Sequence, residues 1–233
     1  MNIADLPAVN RLLKRAYEKH EAPIVELVKA QTQDPFKILV ATILSARTKD
    51  GTTADVVQRL FGVVRRPCDL RRLSQRRLEK LIFPIGFFRT KSRHLRQLPV
   101  VMDALFKGRI PDTIEDLCRL PGVGRKTANL VMTQAFDKHA ICVDVHVHRI
   151  SNRLGLLKTR TPLETEMTLR RILPRRYWKT WNSFLVSHGQ RVCTPRGPHC
   201  DACGLRRHCA RVGVIASRRA PRVKTGPCSR TSP

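Results

Sequence analysis

Apolar positions along this chain recur at helical spacing, and no convincing pair of alternating, strand-like segments interrupts them. Lys37 to Ala46 (KILVATILSA) is apolar nearly all round, which predicts a buried central helix. Ser74 is placed to cap a helix that runs to Ile82. From Thr90 to Phe106 the spacing sets Leu95, Leu98, Met102 and Leu105 on one helical face. Pro99 should kink that helix, at roughly 3 kcal/mol unless compensated. Asp112 or Thr113 can cap a short helix ending near Leu120. Thr161-Pro162-Leu163-Glu164 combines a cap, a proline at the first helical position and a capping-box glutamate. Trp178, Trp181, Leu185 and His188 again repeat at helical spacing. No internal repeat is present, and the fold class is all-α. Beyond Ile215 the pattern fails: Ala216 to Pro233 is rich in Arg, Lys, Ser and Pro, which predicts a basic, disordered tail.

Composition adds a partner. The 233 residues suffice for one large domain or two small ones sharing a boundary. Forty-five Lys and Arg against eighteen Asp and Glu leave a formal charge of +27, which favours polyanions and above all nucleic acid. A spanning membrane segment is excluded, because no apolar run approaches about 20 residues. Met1 to Leu12, with Asp5 and Pro7, lacks the apolar stretch of a signal peptide. The expected location is therefore cytoplasmic and nucleoid-associated, or nuclear or mitochondrial in a eukaryote. Of eight cysteines, Cys193, Cys200, Cys203 and Cys209 crowd together while Cys68, Cys118, Cys142 and Cys228 are scattered. That is the pattern of a metal site in a reducing compartment rather than a disulfide framework.

The stretch Leu120-Pro121-Gly122-Val123-Gly124-Arg125-Lys126-Thr127-Ala128-Asn129 carries the most chemistry. Two glycines separated by one residue permit a tight turn between two helices. The second helix then begins near Gly124 with its free N–H groups outward, an anion site suited to one DNA phosphate. Lys126 falls in the first turn of that helix beside Arg125, where dipole and neighbour both favour the uncharged amine a nucleophile needs. A phosphate-binding lysine is the other reading. Further on, in Val143-Asp144-Val145-His146-Val147-His148-Arg149-Ile150, Asp144 can cap the helix carrying Val147, Ile150 and Leu154. A capping carboxylate is fixed in direction, as catalysis would also require.

These two segments, LPGVGRKTANLV and VDVHVHRISNRLGL, resemble the hairpin and catalytic segments of the endonuclease III family of helix-hairpin-helix glycosylases. The resemblance runs from about Pro35 to Cys209 with almost no change in spacing. It implies two helical lobes with the active-site cleft between them and a C-terminal iron–sulfur cluster loop. Residues 28–138 would form a six-helix domain with the hairpin, 1–27 plus 139–215 a cluster domain, and 216–233 the tail. It further implies that Lys126 attacks the sugar C1′ and Asp144 assists. The activity implied is a bifunctional glycosylase and abasic-site lyase, acting as a monomer on duplex DNA that carries an oxidised pyrimidine or an abasic site.

The spacing Cys193-x6-Cys200-x2-Cys203-x5-Cys209 is a strong metal signal that by itself leaves the metal open. It lacks the paired C-x2-C knuckles of zinc modules and the bacterial ferredoxin spacing alike. The resemblance implies a 4Fe–4S cluster, with Arg196, Arg206 and Arg207 presented to phosphates from the loops between ligands. It also implies DNA contacts at the hairpin residues Gly122, Val123, Gly124 and Arg125, and DNA probing by the segments Ser45–Thr48 and Ile85–Phe88. There Arg47 stands where many relatives have Gln, and Phe87 takes the place of an apolar wedge. Cys118 replaces a pocket glutamate of several relatives, and His148 a common Phe. These departures bear on the substrate range, so two alternatives stay open. One is a glycosylase for mismatches or other lesions; the other is a DNA-binding iron–sulfur protein with weak catalysis.

Overall fold

The computed structural model describes residues 1–20 and 23–214; the expected tail, Ala216 to Pro233, lies outside the described residues. Every regular element among them is helical. In chain order the α-helices are α1 (Leu6–Tyr17), α2 (Ile24–Thr32), α3 (Pro35–Ser45), α4 (Asp50–Phe61), α5 (Pro67–Arg72), α6 (Gln75–Ile82), α7 (Phe88–Phe106), α8 (Ile114–Leu117), α9 (Arg125–Ala135), α10 (Val145–Leu154), α11 (Pro162–Ile172) and α12 (Trp178–Arg191).

The helix starts are chemically marked. Asp34, Ser74, Thr113 and Thr161 each accept a first-turn backbone N–H in their side chains, so the expected caps form at Ser74, Thr113 and Thr161. Helix α3 buries Phe36 and every residue from Ile38 to Leu44, and it packs against α2, α4 and α9 as the central element. Helix α7 continues through Pro99, which is buried, to Phe106, and the helix packs against both α5 and α6. Leu105 departs from the expected face: it is 47% exposed while Leu95, Leu98 and Met102 are buried.

Two hydrophobic cores result. One gathers α2 through α9 around Leu39, Leu44, Leu60, Leu95 and Val131. The other gathers α1 and α10 to α12 around Trp181, Val147, Ile150 and Leu185, with Leu205 of the C-terminal loop. The chain crosses between them before Ile24 and again after Ala140. Ile24, Val25 and Val28 all belong to the first core, so a boundary at residue 28 runs through the middle of α2. Two carboxylates bridge the lobes. Glu26 of α2 accepts hydrogen bonds from Tyr17 Oη of α1 (2.6 Å) and from Ser183 Oγ of α12. Glu166 of α11, 3% exposed, is held by Arg125 of α9 through a bidentate pair at 2.9 Å and by Arg170.

Candidate active site and cluster loop

The hairpin forms because Leu117 and Leu120 anchor its first helix in the core and Gly122 turns the chain. Gly122 has φ +77°, and a Cβ there would meet His94 Nδ1 at 2.8 Å, so only glycine fits. Gly124 is the N-cap of α9 and offers no side-chain cap, which leaves the first-turn N–H groups for an external acceptor. Val123 does not join them. Its side chain is 6% exposed and its N–H is spent on the Leu120 carbonyl. Arg125 also differs from expectation: its guanidinium is held by Glu166, a carboxylate it shares with Arg170, so part of the charge that the sequence set beside Lys126 is offset.

Lys126 is exposed on the first turn of α9 and lines a cleft between the lobes. Asp144 lines the same cleft from the other side. The open volume, about 610 Å³, lies within the roughly 300–1,000 Å³ of small-molecule sites, enough for one extruded nucleotide. Asp144 is the N-cap of α10, and its Oδ1 accepts from the N–H groups of His146 and Val147, both at 2.9 Å. The carboxylate is thereby fixed in direction. The buried segment Ala140–Val143 leads up to it, and Cys142 ties this segment to α9. Its thiol reaches the Lys126 carbonyl (3.5 Å), while Asn182 of α12 donates to the Cys142 carbonyl (3.1 Å). Burial pushes the Cys142 thiol up to about 12, so it stays protonated and inert. Sequence spacing gave this cysteine no role.

The surrounding charges respond to the pair. Burial lowers the His146 imidazole, Asp144 opposes that, and Arg149 and Lys126 reinforce it, which favours the neutral ring. Desolvation at the cleft wall raises the Asp50 carboxyl, and the Lys126 charge pulls it down. At the cleft's rim the two expected probing residues stand together. Arg47 and Phe87 both adopt left-handed φ, +56° and +58°. Phe87 is 62% exposed, and the Arg47 guanidinium lies 5.5 Å from its ring centroid.

The four clustered cysteines line a single cavity beside Ile150, Leu154, His188 and Leu205. Burial raises the Cys203 and Cys209 thiols, and the proximity of the other two sulfurs raises them further. Cationic and N–H donors offset that cost. Arg153 Nη1 points at Cys193 Sγ (3.4 Å), the Arg211 N–H at Cys209 Sγ (3.4 Å), and His188 Nε2 lies 3.6 Å from Cys203 Sγ. Arg149 and Arg153, one turn apart on α10, hold the Cys193–Pro195 backbone by its carbonyls. Arg149 also meets His146 Nδ1 (3.1 Å), so the loop is braced to the cleft through one side chain. The four sulfurs share one apolar cavity with N–H···S donors, but among the described residues no group of three or more ligating side chains is drawn together to hold a metal ion. Arg196 and Arg207 are exposed on this loop, and Arg206 is paired with Asp201 at 2.7 Å.

Residues 40–175 match the model of the HhH-GPD superfamily of base-excision DNA repair proteins. Endonuclease III of Thermotoga maritima is 45% identical over 176 residues, covering 76% of this chain and 83% of that protein. A non-covalent endonuclease III–DNA complex superposes with TM-score 0.80 at 32% identity, over 91% of this chain and 96% of that one. A trapped endonuclease III–DNA covalent intermediate gives 0.76, also at 32% identity, over 88% and 95%. The chain belongs to the endonuclease III family. It spans about half of some relatives, for instance 47% of a chloroplastic homologue from Arabidopsis thaliana.

Measured against the endonuclease III pattern, two of the departures lie outside the cleft lining. Cys118 is exposed at the C-cap of α8, and His148 bonds Thr165 Oγ1 (2.7 Å) between α10 and α11. Neither lines the cleft that holds Lys126 and Asp144, whereas Arg47 does.

Proposed function

We propose that this base-excision DNA glycosylase with abasic-site lyase activity removes oxidised pyrimidines from duplex DNA, with Lys126 as nucleophile and Asp144 as its electrostatic partner. The observation that supports the roles is the placement of both residues on one nucleotide-sized cleft, joined behind it by Cys142. The damaged nucleotide leaves the stack, because C1′ is unreachable within a paired duplex. As the C1′–N bond breaks, positive charge grows on the deoxyribose, and the fixed Asp144 carboxylate stabilises it. The base leaves with the electron pair of the C1′–N bond and is protonated by solvent. The neutral Lys126 amine bonds to C1′, and one of its protons passes to O4′ as the C1′–O4′ bond breaks, leaving a protonated imine. The imine acidifies C2′–H; loss of that proton expels the 3′ phosphate oxygen, and water then releases Lys126. Chromosomal DNA as substrate sets the working compartment, the cytoplasmic nucleoid in a bacterium, and one chain suffices for the reaction.

A panel of duplexes, each with one defined lesion, tests the substrate class. Single-turnover excision should be fastest on oxidised pyrimidines. Faster removal of a mismatched thymine or an oxidised purine would move the protein to a different base preference, and no excision at all would leave only DNA binding.

Cys193, Cys200, Cys203 and Cys209 are proposed to hold a 4Fe–4S cluster. When bound, such a cluster supplies four metal–thiolate bonds that fix the loop and its exposed Arg196 and Arg207. Protein purified without oxygen should contain about four iron and four sulfide per chain, the stoichiometry of a Cys-ligated 4Fe–4S centre. Stoichiometric zinc without sulfide would refute the assignment.

A further inference from the structure

Lys91 is the one buried ammonium among the described residues, 7% exposed, and nothing in the chemistry above uses it. It lies one turn into α7, the helix whose N-cap is Phe87. Its Nζ donates to the carbonyls of Leu44 (2.9 Å) and Ala46 (2.5 Å), the last turn and C-cap of α3. Burying a cation is costly unless it is paired, and here the compensation comes from unsatisfied carbonyls at the negative end of a helix. Those carbonyls immediately precede Arg47. Burial and the nearby Lys126 charge lower the Lys91 ammonium to about 8, which leaves it mostly charged at neutral pH.

Two further contacts join the same segments. The Gly86 N–H donates to Thr48 Oγ1 (3.1 Å), and a Cβ at Gly86 would meet the Arg47 carbonyl oxygen at 2.6 Å. The turn bearing Arg47 is thus clamped from both ends onto the segment bearing Phe87.

We propose that Lys91 is a positioning residue for DNA probing: it locks the Arg47 turn to the start of α7, so that Arg47 and Phe87 enter the duplex as one rigid unit. The inference rests on the reading of Arg47 and Phe87 as probing residues. A paired lesion must be driven out of the stack by what replaces it, so a rigid wedge governs its extrusion. An abasic nucleotide has little stacking to lose and depends on the wedge far less.

The test compares single-turnover excision of a paired oxidised pyrimidine with strand cleavage at an abasic site, using the full-length protein with its metal content unchanged. Lys91→Met and Gly86→Ala disturb the clamp by independent means, one removing charge and the other forcing the turn away. Each should lower the excision-to-cleavage ratio by about tenfold or more, which for Lys91→Met is the effect of losing a buried charged hydrogen bond at about 1.4 kcal/mol per tenfold. Lys91→Arg, which keeps the charge and the donors, should recover part of it. A base-analogue fluorophore opposite the lesion should show slower unstacking in the same two variants. Should Lys91→Met fail to fold, Gly86→Ala carries the test. Phe87→Ala separates the two levels of the claim. If it lowers the ratio while the clamp variants leave it unchanged or lower both reactions equally, Lys91 is only structural and the inference is overturned. If Phe87→Ala leaves the ratio unchanged, the probing role itself fails, and the inference with it.

Discussion

Lys126→Gln protein should yield no borohydride-trapped DNA adduct and should lose excision by roughly three orders of magnitude or more, the scale of removing a nucleophile. DNA affinity should persist. Lys126 is exposed, so its replacement creates no cavity, and the phosphate site proposed at the hairpin consists of backbone N–H groups that the substitution leaves in place. Undiminished trapping in this variant would remove Lys126 from the mechanism. Loss of both trapping and binding would instead favour the other reading of the residue, a phosphate-gripping cation.

Asp144→Asn should slow excision by about 100- to 1,000-fold, the range for deleting one preorganised electrostatic group. The substitution separates two functions of the residue. Asparagine retains an acceptor oxygen for the His146 and Val147 N–H groups, and Asn and Asp are near-equal caps, so thermal stability should hardly change. What disappears is the charge. Cleavage of a pre-made abasic site needs no glycosidic bond broken and should suffer less. Equal losses in both reactions, or a large fall in melting temperature, would mean that Asp144 acts chiefly through the fold.

The elements that were legible in sequence are those whose stabilisation is local. α3 declared itself through an unbroken apolar run, and α11 through Thr161, Pro162 and Glu164. The hairpin declared itself through its paired glycines, of which Gly122 takes the left-handed φ of +77° that turns the chain while Gly124 is extended. The cysteine set was visible because ligand spacing is a short-range constraint. The parts that were not legible depend on contacts between distant segments. Arg125 looked free to act on Lys126 or DNA, but Glu166 lies 41 residues away in sequence and claims its guanidinium in the folded chain. Leu105 fits its helical face by spacing, yet its neighbour Phe106 is the residue that packs against the core there. Cys142 and Lys91 carried no motif at all. Their significance comes from contacts behind the cleft and beneath its rim, to Lys126 and to the end of α3. Arg47 and Phe87 are legible as DNA-probing residues far apart in sequence, and the left-handed turns and the cation–ring contact join them into one structure.

The most direct test of the account is to locate the covalent bond. Wild-type protein is incubated with an oxidised-pyrimidine duplex and borohydride, the adduct is digested, and the peptide carrying the reduced sugar remnant is sequenced by mass spectrometry. The account predicts the remnant on Lys126 alone, within the peptide that begins the hairpin's second helix. A remnant on the N-terminal amine, on Lys91 or on any other lysine would contradict it.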